Sequence, residues 1–322
     1  MRLLILVAGL ILIQVVPAAA NPDFWRHEWP KTDFSRTEVE NWVEILSGGP
    51  PKDGIPALDD PAMKAQADEI SLDPREPVIT VALDGQPARA YPLRYLIWHE
   101  IVNDRIGDLP VAVTFCPLCN SALVFDRRVD DQILSFGVTG KLRNSDMVMY
   151  DRQTESWWQQ ALGRGIVGHF NGVKLRQLPV WMESWASFRA AYPGGLVMMQ
   201  PEFSRAYGTN PYQSYDSAHR PFLYSGENPP HGVPPLMRVI RVGNRAWTME
   251  RLGREKVITE AGIVLRWQDE QASALDTAAI AKGRSVGAIR VQDGQGRDLA
   301  HDVMFAFAFH AFWPDGEWML AQ

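Results

Sequence analysis

Short β-rich runs separated by tight turns are the feature that most constrains the fold of this chain. The stretch VITVALDGQPARAYP, which begins at Val78, holds two such runs on either side of Asp84-Gly85. Asp-Gly between two runs of this kind predicts a two-stranded hairpin. Residues 111–115, VAVTF, predict a buried strand, and SALVFDRRVDDQILSFGV after them predicts another hairpin. The pattern therefore indicates a mainly antiparallel β protein.

Helical signals are few and short. LRYLIWHEIVN has helical character, and TESWWQQALG predicts a short helix or a turn. MESWASFRAAYP places Trp185, Phe188 and Tyr192 near one face of a helix that ends before Pro193. The predicted fold class is α+β, mainly antiparallel β, in one compact unit or in two similar β-rich lobes.

Residues 1–20 have the order of charges and apolar residues that is typical of a signal peptide. Arg2 precedes an apolar run, and Ala18-Ala19-Ala20 follows it. The run is shorter than the roughly 20 residues that a membrane span needs. We expect cleavage before Asn21 and a periplasmic or secreted protein without a transmembrane segment in the mature chain. An uncleaved N-terminal anchor is the alternative.

Residues 21–47 are predicted to form a helical arm. Ser35 with Glu38 three residues later matches a capping box, and apolar residues follow at helical spacing. GGPPKDGIP then breaks the chain. Residues 48–322 are expected to form a single β-rich domain.

The second half of the chain repeats the pattern of the first. Residues 237–252 follow the order of residues 78–93: an apolar strand, a turn with glycine, a second strand and a leucine. DVMFAFAF near the end is comparable with DMVMYD in the first half. These likenesses favour a pseudo-repeat that relates residues 78–160 to 237–320. One half would then carry the chemistry and the other would be scaffold.

Composition excludes some classes of protein and leaves others open. With 46% hydrophobic residues and 12 tryptophans the chain can bury a large core. Its net charge of -6 and its lack of a basic run argue against nucleic acid as a partner. The sequence has no G-x-S-x-G, P-loop or G-x-G-x-x-G motif. Partner, substrate and enzymatic activity are not indicated.

Cys116 and Cys119, the only cysteines, stand in TFCPLCNSALVF, and three roles are open for them. A passive disulfide across so short a loop would contribute only about 2 kcal/mol. A redox dithiol normally lies at a helix N-terminus that lowers the thiol pKa, whereas the residues after Cys119 favour a strand. Two thiolates on a tight turn are also half of a site for a soft metal, copper or zinc.

Further ligands for such a metal are sought among His99, Met147 and Met149, with His301 and His310 further along the chain. Both methionines lie on one face if their segment is a strand, and two thiolates with a histidine or methionine suit copper. The zinc motif H-E-x-x-H is not present, because residue 103 is asparagine. The alternatives are a helix-ending role for His99 and a core role for the methionines.

A polar pocket is a second candidate site. YDRQTESWWQQ is dense in polar and aromatic residues, and its Asp151 and Glu155 would form an acid/base pair if the segment were helical. The alternative is a network of Arg152 with carboxylates that fixes a loop beneath the tryptophans. YGTNPYQSYD borders a ligand cleft or is a surface loop. The candidate pocket residues are Glu100, Asp151, Arg152, Glu155 and Trp158.

Several blocks of the chain resemble those of a known family. WHEIVND, TFCPLCNSALVFDR, SDMVMYDRQTESWWQQ and YGTNPY look like signatures of bacterial exported proteins that are catalogued as a domain of unknown function. The resemblance, over roughly residues 50 to 320, implies a shared fold and a site around the Cys-Pro-Leu-Cys turn. We therefore expect an exported soluble protein whose C-x-x-C site binds a soft metal or acts as a redox dithiol. The alternative is a non-enzymatic binding or interaction protein with a passive Cys116–Cys119 disulfide.

Overall fold

Five mainly antiparallel sheets form the blades of a β-propeller in the computed structural model, which describes residues 22–320. Strands hold 36% and helices 14% of the residues, so the prediction of a mainly antiparallel β protein is confirmed. The five-bladed arrangement does not confirm the two-lobed organisation. The predicted signal peptide, residues 1–20, lies outside the described residues.

Blades 1 to 3 come mostly from the first two thirds of the chain. In spatial order, blade 1 contains Trp181–Ser184, Pro77–Val81, Arg89–Pro92, Leu196–Met198 and Met63–Ala65. Blade 2 contains Leu58–Asp59, Ile101–Ile106, Leu109–Cys116 and Ser121–Asp126. Blade 3 contains Ile45–Ser47, Phe136–Arg143, Asp146–Asp151, Trp157–Gln159 and Arg164–Val167. A separate hairpin pairs Arg128–Val129 with Gln132–Ile133.

Blades 4 and 5 come from the last third. Blade 4 contains Asp302–Phe305, Arg238–Val242, Arg245–Thr248 and Glu317–Trp318. Blade 5 contains Val257–Glu260, Ile263–Gln268 and Ala288–Asp293. The α-helices are α1 Leu93–His99, α2 Trp185–Ala191, α3 Met249–Glu255 and α4 Ala306–Phe312. Short 3-10 helices cover Pro22–Phe24, Trp42–Glu44, Gln66–Asp68, Tyr215–Ser217 and Ile280–Lys282.

One cluster of buried apolar side chains reaches all five blades. Strands such as Pro77–Val81 and Ser121–Asp126 are buried along their whole length, as expected where both faces of a sheet are covered. The hairpin around Asp84-Gly85, the buried strand that ends at Cys116 and the helix before Pro193 all form as the sequence predicts. None of the helices within residues 22–320 has the length and apolar character needed to cross a membrane.

The prediction of a helix over residues 35–46 is wrong. This segment contains a 3-10 turn at Trp42–Glu44 and continues into the blade 3 strand Ile45–Ser47. The Ser35 hydroxyl donates to Asp33 at 2.6 Å instead of capping a helix. Phe34, in the turn before it, packs against Trp157, at 5.4 Å between ring centroids. Packing on the rings of blade 3 therefore overrides the helical spacing.

The segment TESWWQQALG is also not a helix, because Trp157–Gln159 is a strand of blade 3. Trp157 pairs with Tyr150 and Val167, and Trp158 pairs with Met149 and Gly165. Both indole side chains are fully buried. A strand explains this burial, because successive side chains point to opposite faces of a covered sheet.

Blades 1 and 4 share one connectivity. In each, a hairpin leads into a helix, and a later strand–helix–strand unit adds one antiparallel and one parallel neighbour. Residues 237–252 thus form a hairpin and helix like those of residues 78–93. Asp302–Phe305, however, occupies the place of Trp181–Ser184 and not that of Asp146–Asp151. The expected match of DVMFAFAF with DMVMYD is therefore wrong.

Candidate metal centre

Two hairpin tips meet at the cysteines. The blade 2 tip carries both cysteines, and the blade 3 tip lies against it. Cys116 ends its strand and pairs with Ser121, and residues 117–120 form the tip between them. In blade 3, Asn144 and Ser145 form a two-residue turn with φ values of 50° and 60°. Positive φ at both positions is the requirement of a tight type I′ hairpin.

The blade 3 tip points its backbone at the thiols. The Ser145 carbonyl oxygen lies 3.5 Å from Cys119 Sγ and 4.0 Å from Cys116 Sγ. The next residue, Asp146, completes a cluster in which both sulfur atoms and a carboxylate oxygen lie within 4.8 Å of one another. All three side chains are buried. Thiolate and carboxylate are both zinc ligands in proteins.

Asp146 is held at one oxygen and unpartnered at the other. Its Oδ2 accepts hydrogen bonds from Gln159 Nε2 at 2.6 Å and from the Ala161 amide at 2.9 Å. Its Oδ1 is buried without a hydrogen-bond partner among the described residues. Burial raises the pKa of Asp146 to about 6, although these hydrogen bonds and the two cysteines act to lower it. The carboxylate is thus oriented by neutral amides, and one oxygen is left free to bind a cation.

Both cysteines are free thiols, so the disulfide expected in the passive-staple alternative is not formed. Burial raises the pKa of Cys116, and the charges of Asp146 and Glu100 raise it further. Burial also raises the pKa of Cys119 well above its usual range, with added effects of Cys116 and Asp146. A reactive cysteine has a lowered pKa instead. A strand, Ser121–Asp126, follows the pair where a redox site would have a helix.

More unpartnered polar atoms surround the cluster. Within residues 22–320, the side-chain oxygens of Gln159 and Gln160 and the amide nitrogen of Asn120 are buried without a hydrogen-bond partner. Gln160 uses its nitrogen to bridge blades 3 and 2, donating to Thr114 Oγ1 at 2.9 Å and to the Ser121 carbonyl at 3.3 Å. Buried polar groups in native proteins are usually paired, so this concentration is a reason to place a ligand at the cluster.

His99, a predicted ligand, is engaged elsewhere. Its Nδ1 donates to the Pro56 carbonyl at 2.7 Å, and its Nε2 accepts from the Tyr207 hydroxyl at 2.6 Å. Burial lowers the pKa of His99, which keeps the ring neutral. The residue is the last of α1. This geometry matches the alternative in which His99 lies at the end of a helix and satisfies local hydrogen bonds.

Met147 and Met149 do lie on one strand, as predicted. Met149 is fully buried in the common core, opposite Val138. Met147 is buried and lines a pocket of about 520 Å³ together with Leu118, which stands between the two cysteines. The structure therefore places one of the two thioethers beside the cysteine tip.

The same pocket answers part of the second prediction. Glu100 lines it, as do Tyr212 of the YGTNPY block and Tyr215, so this loop does border a cleft. Glu100 as a residue is 8% exposed. Burial, together with the charge of Asp146, raises the pKa of Glu100 to about 8.

The other four candidate pocket residues fix the loop after blade 3 strand Asp146–Asp151. Asp151 accepts from the Thr154 amide at 2.6 Å and from Trp158 Nε1 at 3.0 Å. Arg152 binds Asp59 at 2.8 Å, and Glu155 binds Lys52 at 2.8 Å. Asp151 and Glu155 thus have separate partners and do not form an acid/base pair. The arrangement matches the alternative of a charged network that holds this loop.

Asp146 is the functional candidate that sequence reasoning missed. It stands directly before Met147 in SDMVMYD, and a carboxylate in an otherwise apolar run was the available signal. Strand alternation puts Asp146 and Met147 on opposite faces, so a ligand set built on the methionine face does not include Asp146. Only the meeting of the two hairpin tips shows that Asp146 belongs with the cysteines.

The fold and the cluster together define a five-bladed β-propeller with a buried dithiol–carboxylate site. The chain belongs to DUF3179, a family described as a protein of unknown function, whose model matches residues 52–316. This match confirms the resemblance to a domain of unknown function. Neither the curated proteins nor the solved structures contain a match to this chain.

Proposed function

We propose that this protein is an exported β-propeller that binds a zinc ion through Cys116, Cys119 and Asp146. The observation that carries the proposal is the buried Asp146 Oδ1, which lacks a hydrogen-bond partner within residues 22–320 and lies in a cluster with two sulfur atoms. A buried polar atom without a partner is costly. A cation bound between the three side chains would remove that cost.

The donor set favours zinc over copper. Zinc accepts both thiolate sulfur and carboxylate oxygen, at about 2.3 Å and 2.0–2.2 Å. Cu(I) prefers soft ligands only, and the histidine that would have suited copper is bound to Pro56 and Tyr207. Ligands of a tetrahedral zinc ion lie roughly 3.3–3.8 Å apart. The present cluster, within 4.8 Å, needs only small side-chain movements to reach that spacing.

Electrostatics supports a resident cation better than redox cycling. Burial and neighbouring carboxyl groups raise the pKa of both thiols, which makes the free pair a poor nucleophile. A bound divalent ion reverses this situation, because it stabilises the thiolate form of its own ligands. The same environment that keeps the metal-free thiols protonated is therefore compatible with a metal site.

Zinc titration of reduced, metal-free protein tests the proposal, with a chromophoric chelator as competitor. We expect one zinc ion per chain for the wild type. Cys116→Ser, Cys119→Ser and Asp146→Asn should each weaken binding at least about tenfold, because losing one of three protein ligands opens the site. Glu155→Gln, which removes a carboxylate outside the cluster, should bind like the wild type. Parallel titration with Cu(I) decides between the two metals.

Export is also part of the proposal and rests on the signal-peptide pattern of residues 1–20. The mature protein should begin at Asn21. Intact-mass measurement of protein recovered from the periplasm checks this start, and a mass that retains residues 1–20 would indicate an anchored protein instead.

A further inference from the structure

Beyond the metal site, the 520 Å³ pocket next to it has the composition of a binding site for a small organic molecule. Its volume lies within the usual range for ligand pockets, about 300–1,000 Å³. Ile55, Leu142 and Phe222 contribute apolar surface, and Tyr212 and Tyr215 contribute aromatic rings. Such pockets combine an apolar lining with a few polar groups that fix the orientation of the ligand.

Glu100 is the polar group that sets the chemistry of this pocket. The residue is only 8% exposed, yet within residues 22–320 its carboxyl group has no hydrogen-bond partner. The backbone at Glu100 ends helix α1 with φ of 59°, and its amide donates to the Leu96 carbonyl. Lys256, at the corresponding end of α3, has the same backbone conformation, with φ of 63°, but an exposed side chain. Helix termination thus explains the backbone of Glu100 but not its buried carboxyl group.

Lys141 also lines the pocket, but its ammonium group forms an ion pair with Glu28. Its ammonium group lies 3.3 Å from Glu28 Oε2 and 5.4 Å from the ring centroids of Trp25 and Trp29. The pair formed with Glu28 leaves the acidic Glu100 uncompensated. A positively charged ligand would therefore meet the Glu100 carboxyl group without competition from a cationic side chain of the pocket lining.

We infer that this pocket binds a small organic cation, namely a protonated amine carried on a compact apolar or aromatic body. The ammonium group pairs with the Glu100 carboxylate, and the body lies against Leu142, Phe222 and the tyrosine rings. Aromatic faces attract cations through their quadrupole, so the tyrosines assist the carboxylate. Burial raises the pKa of Glu100 to about 8, so its carboxyl group is mostly protonated in the empty pocket at neutral pH, and a bound ammonium group would stabilise the ionised form.

Three probes of similar shape test the inference at pH 8, where Glu100 is about half ionised, on the reduced mature protein kept metal-free by a chelator. They are 2-phenylethylammonium, the neutral 2-phenylethanol and the anionic 3-phenylpropanoate, each measured by calorimetry and ligand-observed NMR. We expect the ammonium probe to bind the wild type at least about tenfold more tightly than the alcohol, and the carboxylate more weakly than both. Equal binding of ammonium and alcohol, or a preference for the carboxylate, would overturn the inference.

Variants locate the bound probe. Glu100→Gln should abolish the preference for ammonium over alcohol, whereas Glu202→Gln, outside this pocket, should keep it. Ala218→Trp places a bulky ring at the exposed rim of the pocket and should weaken all three probes without disturbing the core. Unchanged ammonium binding by Glu100→Gln or by Ala218→Trp would place the probe elsewhere and overturn the inference. Because metal is removed, failure of this prediction leaves the zinc proposal untouched, and failure to bind zinc leaves the probe experiment intact.

Discussion

Asp146 combines two demands that oppose each other, burial and negative charge. Its folded pKa is raised by burial to about 6 from an ordinary 3.8. A carboxyl group with a raised pKa destabilises the folded state once it ionises. This cost is absent below about pH 4 and fully present above about pH 6. Ionised Asp146 thus destabilises the metal-free fold, and a bound cation would remove this cost. That behaviour is expected of a metal ligand in a buried site.

We predict that Asp146→Asn stabilises the metal-free protein at pH 8. The amide keeps an oxygen for Gln159 and Ala161 and removes the buried charge. The free energy of unfolding should therefore rise by about 3 kcal/mol, since the pKa of Asp146 is shifted by roughly two units and each unit is worth about 1.4 kcal/mol. At pH 4 the difference should vanish. Urea unfolding in the presence of a chelator at both pH values measures it.

Asp126→Asn is the control of opposite sign. Although burial opposes it, hydrogen bonds from Arg128 and Arg176 hold the pKa of Asp126 at about 2. The ionised carboxylate therefore stabilises the folded state above about pH 4, and this contribution is lost as the pH falls toward 2. Asp126→Asn should destabilise the protein at pH 8. If both variants were destabilised there, Asp146 would be a structural acceptor and not a strained ligand.

At the level of single residues, the sequence identifies the two cysteine ligands by their residue type. It does not identify Asp146, which joins them only through the fold. Cys116 and Cys119 were evident because thiols are rare in this chain. His99 was a reasonable ligand by type, but only coordinates show that Pro56 and Tyr207 occupy its ring nitrogens. Asp146 could not be assigned, because nothing local reveals which hairpin tip meets the cysteine tip.

Among the elements, the Asn144 and Ser145 turn positions both the Ser145 carbonyl and Asp146. Both residues have positive φ, which β-branched side chains tolerate poorly. We predict that Ser145→Val shifts this turn, destabilises the protein by about 1–3 kcal/mol and weakens zinc binding at least about tenfold. Thermal melting and zinc titration measure the two effects.

Ser145→Gly is the matched control for that prediction. Glycine adopts the positive φ readily and removes only the hydroxyl that donates to the Phe222 carbonyl. Zinc affinity should stay within about threefold of the wild type. If the glycine and valine variants lost zinc binding equally, the hydroxyl contact and not the backbone of the turn would position Asp146.

Elements governed by short-range rules were predictable, and those governed by tertiary packing were not. Asp84-Gly85 indicated its hairpin, and the run ending at Cys116 indicated its strand, because turn chemistry and β-propensity are local. The capping box at Ser35 does not start a helix, because the neighbouring aromatic side chains pack around Trp157. These side chains are Phe34, Trp25 and Trp29. Large aromatic groups gain more from that burial than a short helix gains from a cap.

At the scale of the whole molecule, the sequence predicts a pseudo-repeat. The shared connectivity of blades 1 and 4, each followed by a helix and a run of antiparallel strands, supports it. The matching runs are residues 77–126 and 238–293. The sequence pattern instead predicts a match of residues 78–160 with 237–320. Sequence alone could not place the insertion of blade 3 between them. The pseudo-repeat stays a prediction that superposition of these two runs tests.

We predict that the molecule unfolds in one cooperative step, because the main one of its apolar clusters reaches all five blades. Urea transitions followed by tryptophan fluorescence and by far-ultraviolet circular dichroism should coincide. Two separate transitions would instead indicate two independently stable lobes, as the pattern of the sequence first suggested.

Zinc-edge X-ray absorption of the protein loaded with one equivalent of zinc identifies the atoms bound to the metal directly. We expect two sulfur neighbours at about 2.3 Å and lighter neighbours at about 2.0–2.2 Å. In Asp146→Asn protein the sulfur neighbours should persist while the affinity falls. A first shell of oxygen and nitrogen alone would place the ion away from Cys116 and Cys119 and would show that the two thiols do not bind zinc.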